Sequence, residues 1–296
     1  MKKHNHHHQR ARLIGRNGQM NSNIIRLGSS PLGFRDLYHW LLTISWSGFF
    51  TRIALVYILS NAIFALAYLA GGDCIANAEP GSFKDVFFFS VQTMATIGYG
   101  AMYPRTSYAN SIVAIEALFG LLGVAMVTGL AFARFSRPTA KVLFSHIAVI
   151  TPQNGVPTLM YRTANQRYNQ ILEAQQRLTL LRDEITADGQ FMRRFYDLNL
   201  VRSRTPIFAL TWTSMHIIDE SSPLYGMTAE DFARQAVEII VTMTGIDETV
   251  SQIIHARHSY LAEEILWNSR FVDILSHSPD GGRSIDYTRF HDVIPL

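Results

Sequence analysis

Cysteine is nearly absent from this chain: Cys74 is the only one in 296 residues. A lone thiol closes no intrachain disulfide, so cysteine usage leaves the redox compartment open. Charge is sparse as well. Asp, Glu, Lys and Arg make up 17% of the residues against 48% apolar types, and two long stretches, 46–71 and 108–133, hold one charged residue each, Arg52 and Glu116. Neither stretch carries repeated arginines, which excludes a voltage-sensing helix. The start of the chain lacks a short apolar run ahead of a small-residue cleavage site, so the first apolar stretch is expected to direct its own insertion. No glycine-rich nucleotide fingerprint, nucleophile elbow or paired acid–base constellation is present, and the usual grounds for an enzyme are missing with them. His255 and His258 stand three apart, with no third metal ligand in the pattern.

The length suits about two domains, and the composition divides at the same place. A membrane unit of two crossings precedes 139–296, which reads as an aqueous domain. The net charge of +3 is modest, but its placement is informative. Residues 1–35 carry Lys2, Lys3, Arg10, Arg12, Arg16, Arg26 and Arg35 with no acid. Between the apolar stretches Asp73, Glu79 and Asp85 face Lys84 and Arg105. The positive-inside rule then puts both termini in the cytoplasm. Residues 1–33, with histidines at 4 and 6–8, are expected to form a disordered basic arm. No stacking aromatics interleave it, which argues against nucleic acid as a partner.

Residues 34–45, with Trp40, read as a short amphipathic helix at the cytoplasmic interface. The first crossing is expected over 46–70; Arg52 near its cytoplasmic end can snorkel to headgroups, and Asn61 at mid-span can bond a neighbouring helix. Residues 82–94 are apolar but too short to span, as in a re-entrant half-helix. Ser82 and Asp85 resemble a capping box there. The C-terminal carbonyls of such a helix present partial negative charge to a cation. The second crossing is expected over 108–135, where Gly120, Gly123 and Gly129 permit close approach or bending. Glu116 within it either faces a water-filled cavity or is hydrogen-bonded behind the stretch that precedes it. Arg134, Arg137 and Lys141 follow around Pro138. Such a cluster attracts anionic lipid headgroups by about 1 kcal/mol per charge, and the same charges satisfy the positive-inside rule.

Between the half-helix and the second crossing lies Thr96-Ile97-Gly98-Tyr99-Gly100. A cation entering a bilayer must exchange its water shell for other oxygens, and a short extended stretch can supply backbone carbonyls aimed at one axis. That requires left-handed backbone values, which glycine adopts readily, and Gly98 and Gly100 stand at alternate positions. Thr96 can add its hydroxyl at the inner mouth, while Ile97 and Tyr99 point away and brace the strand. From Val142 onward short strand-like runs (142–150, 158–162, 191–201, 207–212, 237–243) alternate with turn signals, which predicts an antiparallel β-sandwich.

T-[VI]-G-Y-G is the potassium-channel signature, and from about residue 30 to 293 the chain resembles an inward-rectifier potassium channel of the prokaryotic branch. The resemblance is carried by the filter, by Ala133-Arg134-Phe135-Ser136-Arg137-Pro138, by Ala164-Asn165-Gln166-Arg167, by the segment from His216 to Gly226 (HIIDESSPLYG), by Glu263–Trp267 and by Ile285–Phe290. It implies a homotetramer in the inner membrane with four filters around one axis, an immunoglobulin-like cytoplasmic domain, K+ coordinated at Thr96, Ile97, Gly98 and Tyr99, no cofactor, and a gate at Phe132. Residues 245–252 would form a loop at the apex of the cytoplasmic pore. In the cavity the position of the rectifiers' acid is Val124, and Gln190 and Thr244 replace cytoplasmic ring acids. Block by Mg2+ or polyamines is accordingly expected to be weak or to act through Glu116. Gln92 and Met102 replace an acid–base pair that braces the filter in many relatives.

Overall fold

The computed structural model describes residues 12–15, 37–277 and 283–296. They fall into two compact units, the helices up to Arg137 and the strands from Pro138 onward together with segment 12–15.

In the helical unit α1 (Leu37–Thr43) precedes α2 (Trp46–Ala70), α3 (Phe83–Met94) and α4 (Ser107–Phe135). The starts of the last three are set by Ser45, Ser82 and Thr106, whose hydroxyls accept the N–H groups of Gly48, Asp85 and Ala109. Only half of the capping box expected at α3 forms. The Asp85 carboxylate turns instead to the N–H of Glu79 at 2.9 Å and ties the preceding turn to the helix. Both α2 and α4 have a mean hydropathy of 2.1 and are long enough to cross a bilayer; α3, at 12 residues, is not. A two-residue ribbon, β1 (Ile75–Ala76) with β2 (Tyr103–Pro104), joins the loops on either side of α3 and the filter. Beneath it Tyr68, Cys74, Val86, Phe89 and Ala109 pack together. Gly120 lets α4 approach the end of α3: a Cβ there would stand 2.5 Å from the Met94 carbonyl oxygen. Gly123 and Gly129 face open space.

The second unit is a sandwich of two five-stranded sheets. One runs β11 (Gln252–Leu261), β10 (Glu238–Asp247), β6 (Ile171–Ile185), β7 (Phe191–Leu198), with β8 (Arg204–Phe208) also on β6. The other runs β12 (Ile265–Trp267), β4 (Ala148–Gln153), β5 (Val156–Asn165), β3 (Val142–Phe144), with β9 (Thr211–Ile217) also on β5. Leu159 and Tyr161 from one sheet meet Leu178, Leu180, Val241 and Tyr260 from the other in the core, which the short helix α5 (Ala229–Arg234) closes with Phe232. Two small ribbons, β13 (Ser269–Phe271) with β16 (Val293–Pro295) and β14 (Leu275–His277) with β15 (Arg283–Ile285), finish the chain. The pairing is antiparallel except for β12 on β4, which is parallel. The chain crosses from β11 in one sheet to β12 in the other and meets β4 running in the same direction.

The expectation of a disordered arm over 1–33 fails at 12–15; its other residues, like 34–36 of the interfacial segment, lie outside the described ones. The N–H groups of Leu13 and Ile14 donate to the Glu238 carboxylate at 3.1 and 3.4 Å, Ser259 Oγ donates to the Ile14 carbonyl at 2.9 Å, and Arg12 pairs with Glu264. Glu238 is fully buried, and a buried carboxylate needs donors.

Candidate ion pathway

The end of α3 leads directly into the filter stretch. The Ile97 N–H still reaches back to the Gln92 carbonyl at 2.8 Å, and Thr96 to Thr93 at 3.1 Å. Beyond that point φ is +54° at Thr96, +67° at Gly98 and +77° at Gly100, with neither intervening residue in the left-handed region. A backbone that alternates hands at successive residues turns successive carbonyls to one side, where a regular strand would alternate them. Nothing lies within 4 Å of a Cβ built on Gly98 or Gly100, so glycine is needed there for φ and not for room. Thr96 shares the left-handed backbone, which sequence reasoning missed, and its hydroxyl donates to the Ala95 carbonyl at 2.8 Å. Tyr99 is 73% exposed on a single chain, and Ile97 is also exposed.

Phe132 (72% exposed) and Val124 (65%) lie on an open face of α4. Glu116 does not. The expectation that it joins Val124 as a cavity residue is corrected by burial: Glu116 is fully enclosed against α2 and α3. Eight residues rotate an α-helix by about 80° and sixteen by about 160°, so Glu116 sits nearly opposite Phe132. Its carboxylate accepts from Tyr68 Oη at 2.6 Å and from Ser90 Oγ. Ser90 also lies 3.0 Å from Asn61 Oδ1, and Asn61 donates to the Tyr57 carbonyl at 2.8 Å. All of Asn61, Tyr68, Ser90 and Glu116 are fully buried, so one polar network ties α2, α3 and α4 together behind the filter. Asn61 was foreseen as an interhelical hydrogen bonder, but Tyr68 and Ser90 carried no signal in the sequence. Met102 packs into the neighbouring apolar cluster, and Gln92 enters through its backbone carbonyl.

The basic cluster also divides. Arg134 is buried, its guanidinium donates to the carbonyls of Leu41 and Ile44, and it stacks 4.5 Å from the Trp46 ring and 4.8 Å from Phe49. This side chain is consumed within the protein, which overturns the expectation that it binds lipid. The physical cause is the end of α1, whose last carbonyls lack intrahelical partners and draw a cation. Arg137 joins them through one N–H to Leu42 at 2.9 Å but stays exposed. Arg52 does not extend freely either: it donates to the Gly48 carbonyl at 2.9 Å and stacks 4.7 Å from Trp40. In the other unit Lys141 is exposed at the start of the strands.

The two units match two family descriptions. Residues 52–137 match "Ion channel", and residues 142–296 match "Inward rectifier potassium channel C-terminal domain". Over 286 residues the chain is 51% identical to the inward rectifier potassium channel Kirbac3.1 of Paramagnetospirillum magnetotacticum, covering 96% of each. It is 30% identical to the inward rectifier potassium channel irk-1 of Caenorhabditis elegans over 97% of this chain and 58% of that one. It is 29% identical to the ATP-sensitive inward rectifier potassium channel 12 of Gallus gallus, over 95% and 71% respectively. A filter strand of alternating hand and two membrane-length helices are thus accompanied by agreement along nearly the whole sequence, and the chain belongs to the inward-rectifier potassium channel family.

Proposed function

We propose that four copies of this chain form a voltage-independent, potassium-selective pore that conducts passively, with Thr96–Gly100 coordinating the ion. The observation that carries this reading is the left-handed backbone at Thr96, Gly98 and Gly100, directly after the C-terminal end of α3. Phe132 is the gate: four such rings around one axis dewet a narrow passage and stop ions without any charge. The membrane is crossed twice, with both termini cytoplasmic, as the excess of Lys and Arg before α2 and after α4 supports. Anionic headgroups meet Arg137 and Lys141. Val124 in the cavity is neutral, Glu116 is buried, and Gln190 and Thr244 carry no charge, so Mg2+ and polyamines block weakly.

The test is rubidium uptake into liposomes that hold the purified protein and trapped potassium or sodium, with and without external barium. Barium-sensitive uptake with trapped potassium alone is the expected result. Equal uptake with trapped sodium would overturn selectivity. A Phe132→Ala variant is expected to raise uptake, and an unchanged rate would remove Phe132 as the gate.

A further inference from the structure

The polar network behind the filter is short of hydrogens if its acid is ionised. Tyr68 Oη lies 2.6 Å from Glu116 Oε2, Ser90 Oγ meets Glu116 Oε1, and the same Ser90 oxygen lies 3.0 Å from Asn61 Oδ1. All four side chains are fully buried within a single chain, so a neighbouring subunit does not reach them. The Asn61 amide is fixed by its other partners. Its nitrogen donates to the Tyr57 carbonyl at 2.8 Å and faces Met94 Sδ at 3.6 Å, and both are acceptors. A flipped amide would set oxygen against oxygen at 2.8 Å, so Oδ1 is the atom turned to Ser90, and it can only accept.

The hydroxyls can then be counted. Ser90 Oγ has one hydrogen, and Asn61 takes it. Tyr68 Oη has one hydrogen, and Glu116 Oε2 takes it. The contact between Ser90 and Glu116 has a hydrogen only if Glu116 supplies it. An ionised Glu116 that accepted from both hydroxyls would leave Ser90 Oγ and Asn61 Oδ1 as two bare oxygens facing each other at 3.0 Å. Burial argues the same way. Among the described residues no Lys or Arg pairs with Glu116, and a fully buried charge without a partner is costly.

We propose that Glu116 is a neutral carboxylic acid whose Oε1–H donates to Ser90, and that it acts as a positioning residue for the filter. The bonds then run one way, from Tyr68 to Glu116, from Glu116 to Ser90, from Ser90 to Asn61 and from Asn61 to the Tyr57 carbonyl. Ser90 and Met94 stand one turn apart at the end of α3. The N–H groups of Thr96 and Ile97 bond back to Thr93 and Gln92 within that turn, so holding it holds the base of the filter. An uncharged brace adds no field of its own to the ion path. The protonation state stands on geometry alone, while the positioning role rests on the proposed conduction.

Infrared difference spectroscopy of the full-length protein in liposomes, wild type against Glu116→Gln at neutral pH, tests it. The other carboxyl groups cancel. The expected loss is the carbonyl band of a protonated carboxylic acid, and loss of a carboxylate band instead would overturn the proposal. Ser90→Ala is expected to shift the acid's carbonyl band, and an unmoved band would remove Ser90 as its acceptor. The same liposomes report rubidium uptake with trapped potassium against trapped sodium. Glu116→Leu strands the Tyr68 and Ser90 hydroxyls and is expected to lower that ratio about tenfold, within the loss that one stranded buried polar group implies. Gln offers a donor and an acceptor as the neutral acid does, so Glu116→Gln is expected to restore what Glu116→Leu loses. A Gln variant as impaired as the Leu variant would overturn the neutral acid, and a Leu variant with the wild-type ratio would overturn the positioning role. Elution at the wild-type size checks assembly, and Ser90→Ala carries the same flux expectation if Glu116→Leu does not assemble. An acid band in wild-type protein without selective uptake would refute the conduction reading and leave the neutral acid standing.

Discussion

Replacing Gly98 with alanine isolates the physical demand of the filter. At φ +67° an L-residue with a Cβ is disfavoured by about 1–2 kcal/mol. No neighbour lies within 4 Å of that Cβ, so overlap adds nothing and the cost is backbone strain alone. In four copies around one axis the strain sums to about 4–8 kcal/mol, which lowers the population of the aligned ring by about three to six orders of magnitude. Relaxation to negative φ turns a carbonyl away from the shared side, and one misdirected carbonyl interrupts the ion's path. Rubidium uptake should therefore fall about a thousandfold or more, effectively to background. Gly72→Ala is the matched control, with the same φ of +67°, equally open surroundings and a position in the turn after α2. It carries the same strain but should keep its flux. Uptake by Gly98→Ala within tenfold of wild type would refute the reasoning, and an equal loss in Gly72→Ala would assign the defect to folding.

Other consequences are open to measurement. The His216 Nδ1 faces the Asn199 carbonyl at 2.8 Å and so carries the proton, which leaves Nε2 to accept from the Ser222 hydroxyl at 2.7 Å. Burial holds this ring's pKa below its ordinary 6.5, against the opposing pull of the Asn199 bond and the Asp219 charge. On acidification the unfolded ring takes up its proton first, so this contribution is complete above pH 6.5 and is lost as the pH falls from there through the folded value. Thermal unfolding against pH should flatten in His216→Gln over that window; an unchanged slope counts against the assignment. Ser222→Ala should cost about 1–3 kcal/mol by stranding a buried ring nitrogen, read as a lower Tm at pH 8. Arg134→Gln should lower the Tm of lipid-free protein, since each of two charge-assisted bonds is worth roughly 1.5–3 kcal/mol. An effect seen only with anionic lipid present would restore Arg134 to the headgroups. Glu238→Gln should speed amide hydrogen exchange at Leu13 and Ile14, and unaltered protection there would show that the carboxylate does not hold that segment.

Much of the helical unit was legible because a bilayer imposes a length and forbids charge, so α2 and α4 stand out as runs broken only by Arg52, by Glu116 and, in the last turn of α4, by Arg134. The filter was legible because Gly98 and Gly100 announce their backbone. Direction was not: which way Glu116 points depends on helix rotation, and Arg134's partners are carbonyls at Leu41 and Ile44, which have no side-chain signature. In the sandwich the longest strand, β6, went unseen. Its segment Glu173-Ala174-Gln175-Gln176-Arg177-Leu178 is made of good helix formers, and pairing with β7, β8 and β10 overrides that preference. The segment from His216 to Gly226 was recognised as a pattern, but its meaning, a buried His216–Ser222 bond that fixes the turn after β9, required coordinates.

On the proposed reading each chain contributes only one strand of the filter, and Tyr99 and Phe132 are exposed on the single chain. Inheritance of a damaged copy then has arithmetic consequences. If intact and Gly98→Ala subunits are made in equal amounts and mix freely into fourfold rings, about one ring in sixteen contains four intact strands. A cell carrying both alleles would lose most of its current, not half, and the defect would be dominant.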